Sequence, residues 1–365
     1  MKNSFGQSLQ VTLFGESHGP YIGAVLDGVA PGIEIDHDYI AHQLKLRRPY
    51  GKTSTARVEE DPYEIVSGVY QGRTTGTPLC MLIPNTKMKS ADYDEKGRLI
   101  RPGHADYTGY CKYHGYEDYH GGGHFSGRIT AALTGVGAIA LQALRDKGIV
   151  IGTHIYNLCG IMDRPFEDIR ADIAFINEQI FPAFHPVAKD GMEEEIISAA
   201  PRGDSVGGIL ESAVCGMPAG VGEPWFDSVE SVLSHALYSI PAVKGVQFGL
   251  GFDGFRYYGS EYNDPIRIED DRIFTTSNHN GGINGGITNG MPILFRTAVK
   301  PTPSVFSKQD SIDIDTRENT SVQITGRHDP AVIHRARVVV DSVTALALYD
   351  LLAVRYGTDY FMPEK

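Results

Sequence analysis

Asp27-Gly-Val-Ala-Pro-Gly32, near the start of the chain, and Cys215-Gly-Met-Pro-Ala-Gly220, past its middle, are variations on one theme. A helix-like run follows each, then Ser67-Gly-Val-Tyr-Gln-Gly72 in the first case and Lys244-Gly-Val-Gln-Phe-Gly249 in the second. Thr75-Gly-Thr-Pro-Leu79 and Asn289-Gly-Met-Pro-Ile293 come next, in the same order. An echo on this scale implies two similar structural units. Strand-like runs also gather in pairs around glycine turns, rather than alternating singly with helices. That argues against a doubly wound parallel sheet. The expected fold class is α+β: two similar units of antiparallel sheet and helix, spanning about 1–150 and 205–365, in one domain over 1–365.

Working outward, strands are expected over 9–14, 24–29, 64–69, 79–83, 208–215, 243–249 and 293–299. Asp36 or Asp38 can cap a helix that runs to Leu46, and Asp227 one that runs to Tyr238. The clearest helix covers 129–146: Ile129, Leu133, Val136, Ile139, Ala140, Ala143 and Leu144 follow three-four spacing, and Gly148 ends it. Its remaining positions are mostly Ala, Gly and Thr, so burial on nearly every side is expected. A last helix is expected over 342–355, and an exposed helical excursion over 163–205. Residues 85–100 and 253–280 read as polar loops.

The chain has 365 residues, 41% of them hydrophobic and 21% charged, which is ordinary for a globular protein. No apolar run approaches about 18 residues and no apolar signal core precedes the first strand, so a cytoplasmic protein without a membrane span is expected. A formal charge of −12 argues against wholesale binding to nucleic acid or an acidic membrane. The four cysteines, Cys80, Cys111, Cys159 and Cys215, form no C-x-x-C pair and read as reduced, mostly packed thiols.

Chemistry concentrates between Arg101-Pro-Gly-His-Ala-Asp106 and Phe125-Ser-Gly-Arg128. Four histidines (His104, His114, His120, His124), five tyrosines and Gly121-Gly122-Gly123 lie in this stretch. Glycines let backbone N–H groups approach a bound anion, and the N-terminus of the following helix adds its positive dipole end. Arginines at both edges and histidines between them suit an anionic substrate that is protonated as it reacts. Gly15-Glu-Ser-His-Gly19 exposes His18 on a tight turn. Lys45, Arg47, Arg48, Lys52 and Arg57 form a basic cluster within this acidic chain. Gly249-Leu-Gly-Phe-Asp-Gly254 matches a dinucleotide fingerprint, but no helix opens at it. Two competing readings use the same residues. One is a metallohydrolase built on His104, Asp106, His120 and His124, with His104 and Asp106 on one strand face. The other is a phosphate-ligand binding protein without chemistry.

Five windows taken together resemble the chorismate synthase family: Gly15-Glu-Ser-His-Gly19, Arg101-Pro-Gly-His-Ala-Asp106, Gly281-Gly-Ile-Asn-Gly-Gly286 with Asn289-Gly290, Lys300-Pro-Thr-Pro-Ser304, and Gly326-Arg-His-Asp-Pro330. The resemblance implies a β-α-β sandwich, a homotetramer and a requirement for reduced FMN. The implied reaction is anti-1,4-elimination of phosphate and a ring hydrogen from 5-enolpyruvylshikimate 3-phosphate, giving chorismate. It assigns catalysis to His18, His104, Ser126 and Asp329, with Asp106 orienting His104. Flavin contacts are implied at His124, Phe125, Ser126, Pro241, Ala242, Gly285, Lys300, Pro301, Thr302, Pro303, Ser304 and Arg327. Substrate anions would meet Arg47, Arg48, Lys52, Arg57, Arg101 and Arg128. No metal is implied. An external reductant is expected to supply reduced flavin, with NADPH as its indirect source. The sequence departs from the commoner family pattern at His124, Phe125 and Pro241, which bears on side-chain contacts to the flavin there.

Overall fold

The computed structural model describes residues 3–54, 60–86, 98–324 and 329–363. Its first sheet contains β1 (Ser4–Phe5), β2 (Gln10–Gly15), β3 (Tyr21–Asp27), β4 (Glu64–Ser67) and β5 (Leu79–Pro84), in the order β1-β2-β3-β5-β4. The second contains β6 (Val150–Leu158), β7 (Ile161–Met162), β8 (Gly208–Cys215), β9 (Val243–Phe248) and β10 (Ile293–Val299), in the order β9-β10-β8-β6-β7. All these pairings are antiparallel. The α+β class expected from the sequence is the one observed.

Apart from the short strands β1 and β7, each sheet places its strands first-second-fourth-third along the chain, with a helix between the second and third. These helices are α1 (His37–Arg47) and, in the second unit, a helix at Val229–Leu237. The echoed glycines have a common physical cause. Gly28 has φ +88°, and a Cβ there would lie 1.8 Å from Ser8 O; Gly216 has φ +98°, with a Cβ 2.3 Å from Gly148 O. Only glycine fits either turn. The shared order and the matched glycines support the proposal of one domain built from two similar units. On that proposal the second unit takes in β6, for which the sequence reading had no strand.

Two long helices lie against these sheets. The first, α3 (Thr130–Asp146), follows a short helix α2 (Asp106–Tyr113). It is buried without interruption from Ala131 to Leu144. A Cβ at Gly135 would meet Met81 Sδ of β5 at 2.5 Å, and one at Gly137 would meet Ser342 Cβ at 2.4 Å. Small residues therefore let α3 touch both the first sheet and the last helix at close range. An 18-residue window within Gly127–Asp146 has a mean hydropathy of 1.3, enough by length and composition to cross a membrane, but 83% of that window is buried inside the fold. That corrects the expectation that no such run exists; the burial is that of a core helix.

After α4 (Ile169–Asn177), α5 (Pro186–Ala199) and α6 (Val229–Leu237), the last helix is α7 (Ile333–Tyr356), which begins nine residues before the expected start. It is tied to both sheets. Asp341 accepts from Thr153 Oγ1 of β6 at 2.6 Å, while Asp350 accepts from the backbone N–H groups of Gln7, Ser8 and Leu9 at 2.7–3.0 Å. The excursion over 163–205 is helical, as expected, but Ile173, Ile176, Phe181, Met192 and Ile196 are buried rather than exposed. A charged row crosses the face of the second sheet beneath it. His154 Nε2 lies 3.2 Å from Glu211, Glu211 pairs with Arg296 at 2.8 Å, and His154 Nδ1 lies 3.5 Å from Asp163. Residues 253–280, expected as a loop, contain a short helix (Gly259–Tyr262) and a hairpin of Ile266–Glu269 with Arg272–Thr275. All four cysteines are free, but Cys111 and Cys159 are exposed rather than packed.

Candidate active site

The triple glycine is the seat of the site. Gly121, Gly122 and Gly123 all have positive φ, at +61°, +97° and +52°, which side-chain-bearing residues resist. A Cβ on Gly121 would fall 2.0 Å from His18 Cε1, and one on Gly122 would fall 3.1 Å from His104 Cε1. Neighbouring glycines are thus flanked by the two histidines that the sequence singled out. The His18 turn is pinned to this loop: Ser17 N donates to Gly123 O at 3.1 Å, and Ser17 Oγ donates to His120 O at 3.2 Å. His124 Nδ1 lies 2.8 Å from Gly15 O. Ser126 is the N-cap of the turn that leads into α3, its Oγ accepting from Arg128 N at 3.2 Å. Phe125 packs on Gly109 of α2, against Tyr113.

His104 and Asp106 do not share a strand face as expected. They form the turn into α2, where Asp106 is the first helical residue. His104 Nδ1 lies 2.6 Å from Asp106 Oδ1, and a carboxylate can only accept, so Nδ1 carries the proton. Arg101 donates to the same carboxylate through its backbone N, Nε and Nη2 at 2.7–2.9 Å. Burial alone raises the Asp106 pKa, but the bonds and charges of Arg101 and His104 outweigh it and hold this carboxyl well below its ordinary range. Across the site, Lys300 Nζ donates to Gly103 O at 2.6 Å, and its backbone N donates to Ala242 O at 2.9 Å. Pro303 packs against Gly103. The Lys300–Ser304 segment therefore meets the loop that carries His104.

The guanidinium groups converge on a residue that the sequence did not disclose. Asp61, its side chain fully buried, pairs with Arg47 at 3.4 Å, approaches Arg48 at 3.9 Å, and bonds Arg128. Arg47 also donates to Thr130 Oγ1 and Gly127 O. Arg128 Nε donates to Asn85 Oδ1 at 3.1 Å, and Asn85 Nδ2 donates to Glu16 O and Gly19 O, on either side of His18. Asp329 accepts from Arg335, whose Nε donates to Arg47 O at 2.8 Å. Val206 N donates to Pro330 O and Ser205 Oγ to Thr302 O, which leads back to the lysine segment. His18, His104 and Asp329 thus lie on one closed circuit of contacts.

Two expected residues, Arg57 and Arg327, lie outside the described residues. Lys52 is exposed on the loop after α1. Gly285 does not join the others. It sits before the Ile293 end of β10, whereas Lys300 follows the Val299 end of the same seven-residue strand, roughly 20 Å away. Among the described residues no group of three or more His, Cys, Asp or Glu is placed to hold a metal, so the grouping of His104, Asp106, His120 and His124 is not assembled. Instead His120 Nδ1 meets Asp118 and stacks on Tyr119, with ring centroids 4.5 Å apart. Asp61, Asn85 and Arg335 carried no sequence signal, because each matters only through partners distant in the chain.

The family model for chorismate synthase matches residues 9–353. A chorismate synthase of Dehalococcoides mccartyi strain BAV1 is 45% identical over 98% of this chain and 98% of its own length. One from Korarchaeum cryptofilum is 42% identical over 95% of this chain and 96% of its own. Among solved structures, a crystal structure of chorismate synthase superposes with a TM-score of 0.74 at 27% identity, covering 96% of this chain and 94% of that one.

Proposed function

This chain belongs to the chorismate synthase family, lyases of the shikimate pathway, and from that premise we propose a reaction and a set of roles for the residues around the triple glycine. The substrate is 5-enolpyruvylshikimate 3-phosphate. The phosphate C–O bond and a ring C–H bond break, a new C=C bond forms, and chorismate and inorganic phosphate leave. Reduced FMN, when bound, supplies transient electron density to the allylic system and recovers it, with no net redox change.

The residues present fit such a cofactor in part. Lys300 and Pro303 meet Gly103, Ala242 bonds Lys300, and His124 to Ser126 follow closely on the Gly122 that His104 abuts; Lys300 would offer a cation for the flavin phosphate or an electron-rich ring edge. His104, its Nδ1 committed to Asp106, presents its other edge to Gly122, where it would stabilise the anionic ring of a reduced flavin. Gly285, set apart from these residues by the length of β10, would meet such a flavin if another copy of the chain brought it there, as a homotetramer would allow. Exposed Trp225 and Phe226, close in sequence to the Ser228 that abuts Gly286, suit burial against another copy.

The substrate carries two carboxylates and a phosphate. Arg48, Arg101 and Arg128, with Lys52 and Arg57, attract and orient it; Arg47 is tied into the fold and steadies the cluster. Phosphate departs poorly when fully charged, and His18 donates the proton that assists it. Asp329, held by Arg335, assists removal of the ring hydrogen. An open cleft of about 730 Å³ elsewhere, lined by Glu34, Asp36, Asp38 and Asp146 against Arg73 and Lys147, carries the wrong charge balance for a polyanion.

The observation that carries this reading is the placement of His18 and His104 on neighbouring glycines of one loop. The test is turnover under anaerobic conditions with dithionite-reduced FMN, with oxidised FMN, and with FMN and NADPH alone. Chorismate is expected only in the first, and product formation with oxidised flavin overturns the proposal.

A further inference from the structure

We infer that Asn85 is a positioning residue that sets His18 in register with Arg128, and this rests on the proposed role of His18 as proton donor. Asn85 follows directly on β5, and its half-buried carboxamide uses both ends. The Nδ2 group donates to Glu16 O at 3.0 Å and to Gly19 O at 2.7 Å, the two carbonyls that bracket Ser17 and His18. Oδ1 accepts from Arg128 Nε at 3.1 Å. The backbone N donates to Pro20 O at 3.0 Å.

Only one orientation of the amide serves. Turned over, its oxygen would face two carbonyl oxygens and its N–H groups would face a guanidinium that can only donate. The planar amide therefore links a turn and an arginine that approach the site from different elements. No other neutral side chain of this size offers two donors and an acceptor in that arrangement. Distances within a reacting constellation matter steeply: a displacement of about 1 Å can lower turnover roughly 100-fold.

Asn85→Asp separates the two halves of the link. Its carboxylate keeps the acceptor for Arg128 but cannot donate to Glu16 O or Gly19 O, so it frees the His18 turn while holding the arginine. The expected result is a kcat lower by about 100-fold, with KM for 5-enolpyruvylshikimate 3-phosphate within about threefold because Arg128 still meets the substrate. Backbone hydrogen exchange in the Gly15–Gly19 turn of the protein without ligands should quicken, and the melting temperature should fall by a few degrees.

His18→Ala is measured alongside, and so is the double variant. A slow His18→Ala enzyme, with the double variant within about twofold of it, supports one shared function. If His18→Ala turns over like the wild type, the role of His18 itself fails. If His18→Ala is slow while Asn85→Asp keeps wild-type kcat, the inference about Asn85 is overturned. A slow Asn85→Asp enzyme with unchanged exchange in the turn overturns it as well. Should Asn85→Asp not fold, Asn85→Ser, which keeps one neutral donor, is read by the same three measurements.

Discussion

Adding one methyl group to Gly121 tests the site at its tightest point. In Gly121→Ala the new Cβ would lie 2.0 Å from His18 Cε1 and 2.3 Å from His18 Nδ1. Ordinary contact begins near 3.4 Å, so the imidazole must retreat by about 1.4 Å or the loop must shift by as much. The left-handed backbone adds a cost of roughly 1–2 kcal/mol for a residue with a Cβ. The obstructing atoms belong to a side chain that can rotate, so the protein should still fold, with a melting temperature lower by only a few degrees. Turnover should fall much further. A proton donor displaced by more than 1 Å predicts a kcat reduced about 100-fold or more. Gly122→Ala is the internal comparison: its Cβ meets His104 at 3.1 Å, so the ring need move only a few tenths of an ångström. Steady-state kinetics under anaerobic conditions with reduced FMN, together with thermal melts, reads both. A Gly121→Ala enzyme that folds and keeps wild-type kcat would refute the placement of His18 at the reacting bond.

Other expectations follow from the charged clusters. Burial lowers the His154 pKa, but its contacts with Asp163 and Glu211 outweigh that and raise it above the unfolded value. Its stabilisation is therefore complete below about pH 6.5 and declines as pH rises through the folded pKa. Urea melts from pH 5 to 9 should show that decline in the wild type and a flatter profile in His154→Gln; matching profiles would exclude the residue as its source. Asp61→Asn strips the anion from among Arg47, Arg48 and Arg128 and should cost about 3 kcal/mol in urea unfolding. A loss below roughly 1 kcal/mol would show that the cluster is held by its other bonds. Asp329→Ala should lower kcat by about 10²-fold or more while leaving the FMN dissociation constant within about threefold. Wild-type turnover would remove Asp329 from the chemistry.

Legibility in the sequence followed local pattern. Strand β10 alternates buried and half-buried residues along its whole length, and its ends were read as they stand. The α3 stripe was as clear, and its start was misplaced by one residue. Strand β6 escaped because Gly152, Thr153 and His154 interrupt its apolar run, yet all three are buried. Gly152 packs under Ile173, Thr153 bonds α7, and His154 meets the acidic pair. The start of α7 was missed for a like reason. Ile333-His-Arg-Ala-Arg337 looks like a solvated segment, but Arg337 is buried, bonding Gln179 O and pairing with Asp341. In the site, histidines and arginines in glycine-rich settings could be picked out one by one. Asp61 and Asn85 could not, since nothing in Glu-Glu-Asp-Pro or Ile-Pro-Asn-Thr foretells which guanidinium will arrive from elsewhere in the chain.

The central claim is that one anionic substrate and one flavin meet at the triple glycine. A crystal structure of the protein with FMN and 5-enolpyruvylshikimate 3-phosphate tests it most directly. The substrate phosphate is expected within hydrogen-bond reach of His18, and the flavin ring against His104 with its phosphate toward Lys300. Both ligands ordered away from Gly121 and Gly122, for instance in the cleft beside Glu34 and Asp146, would contradict it.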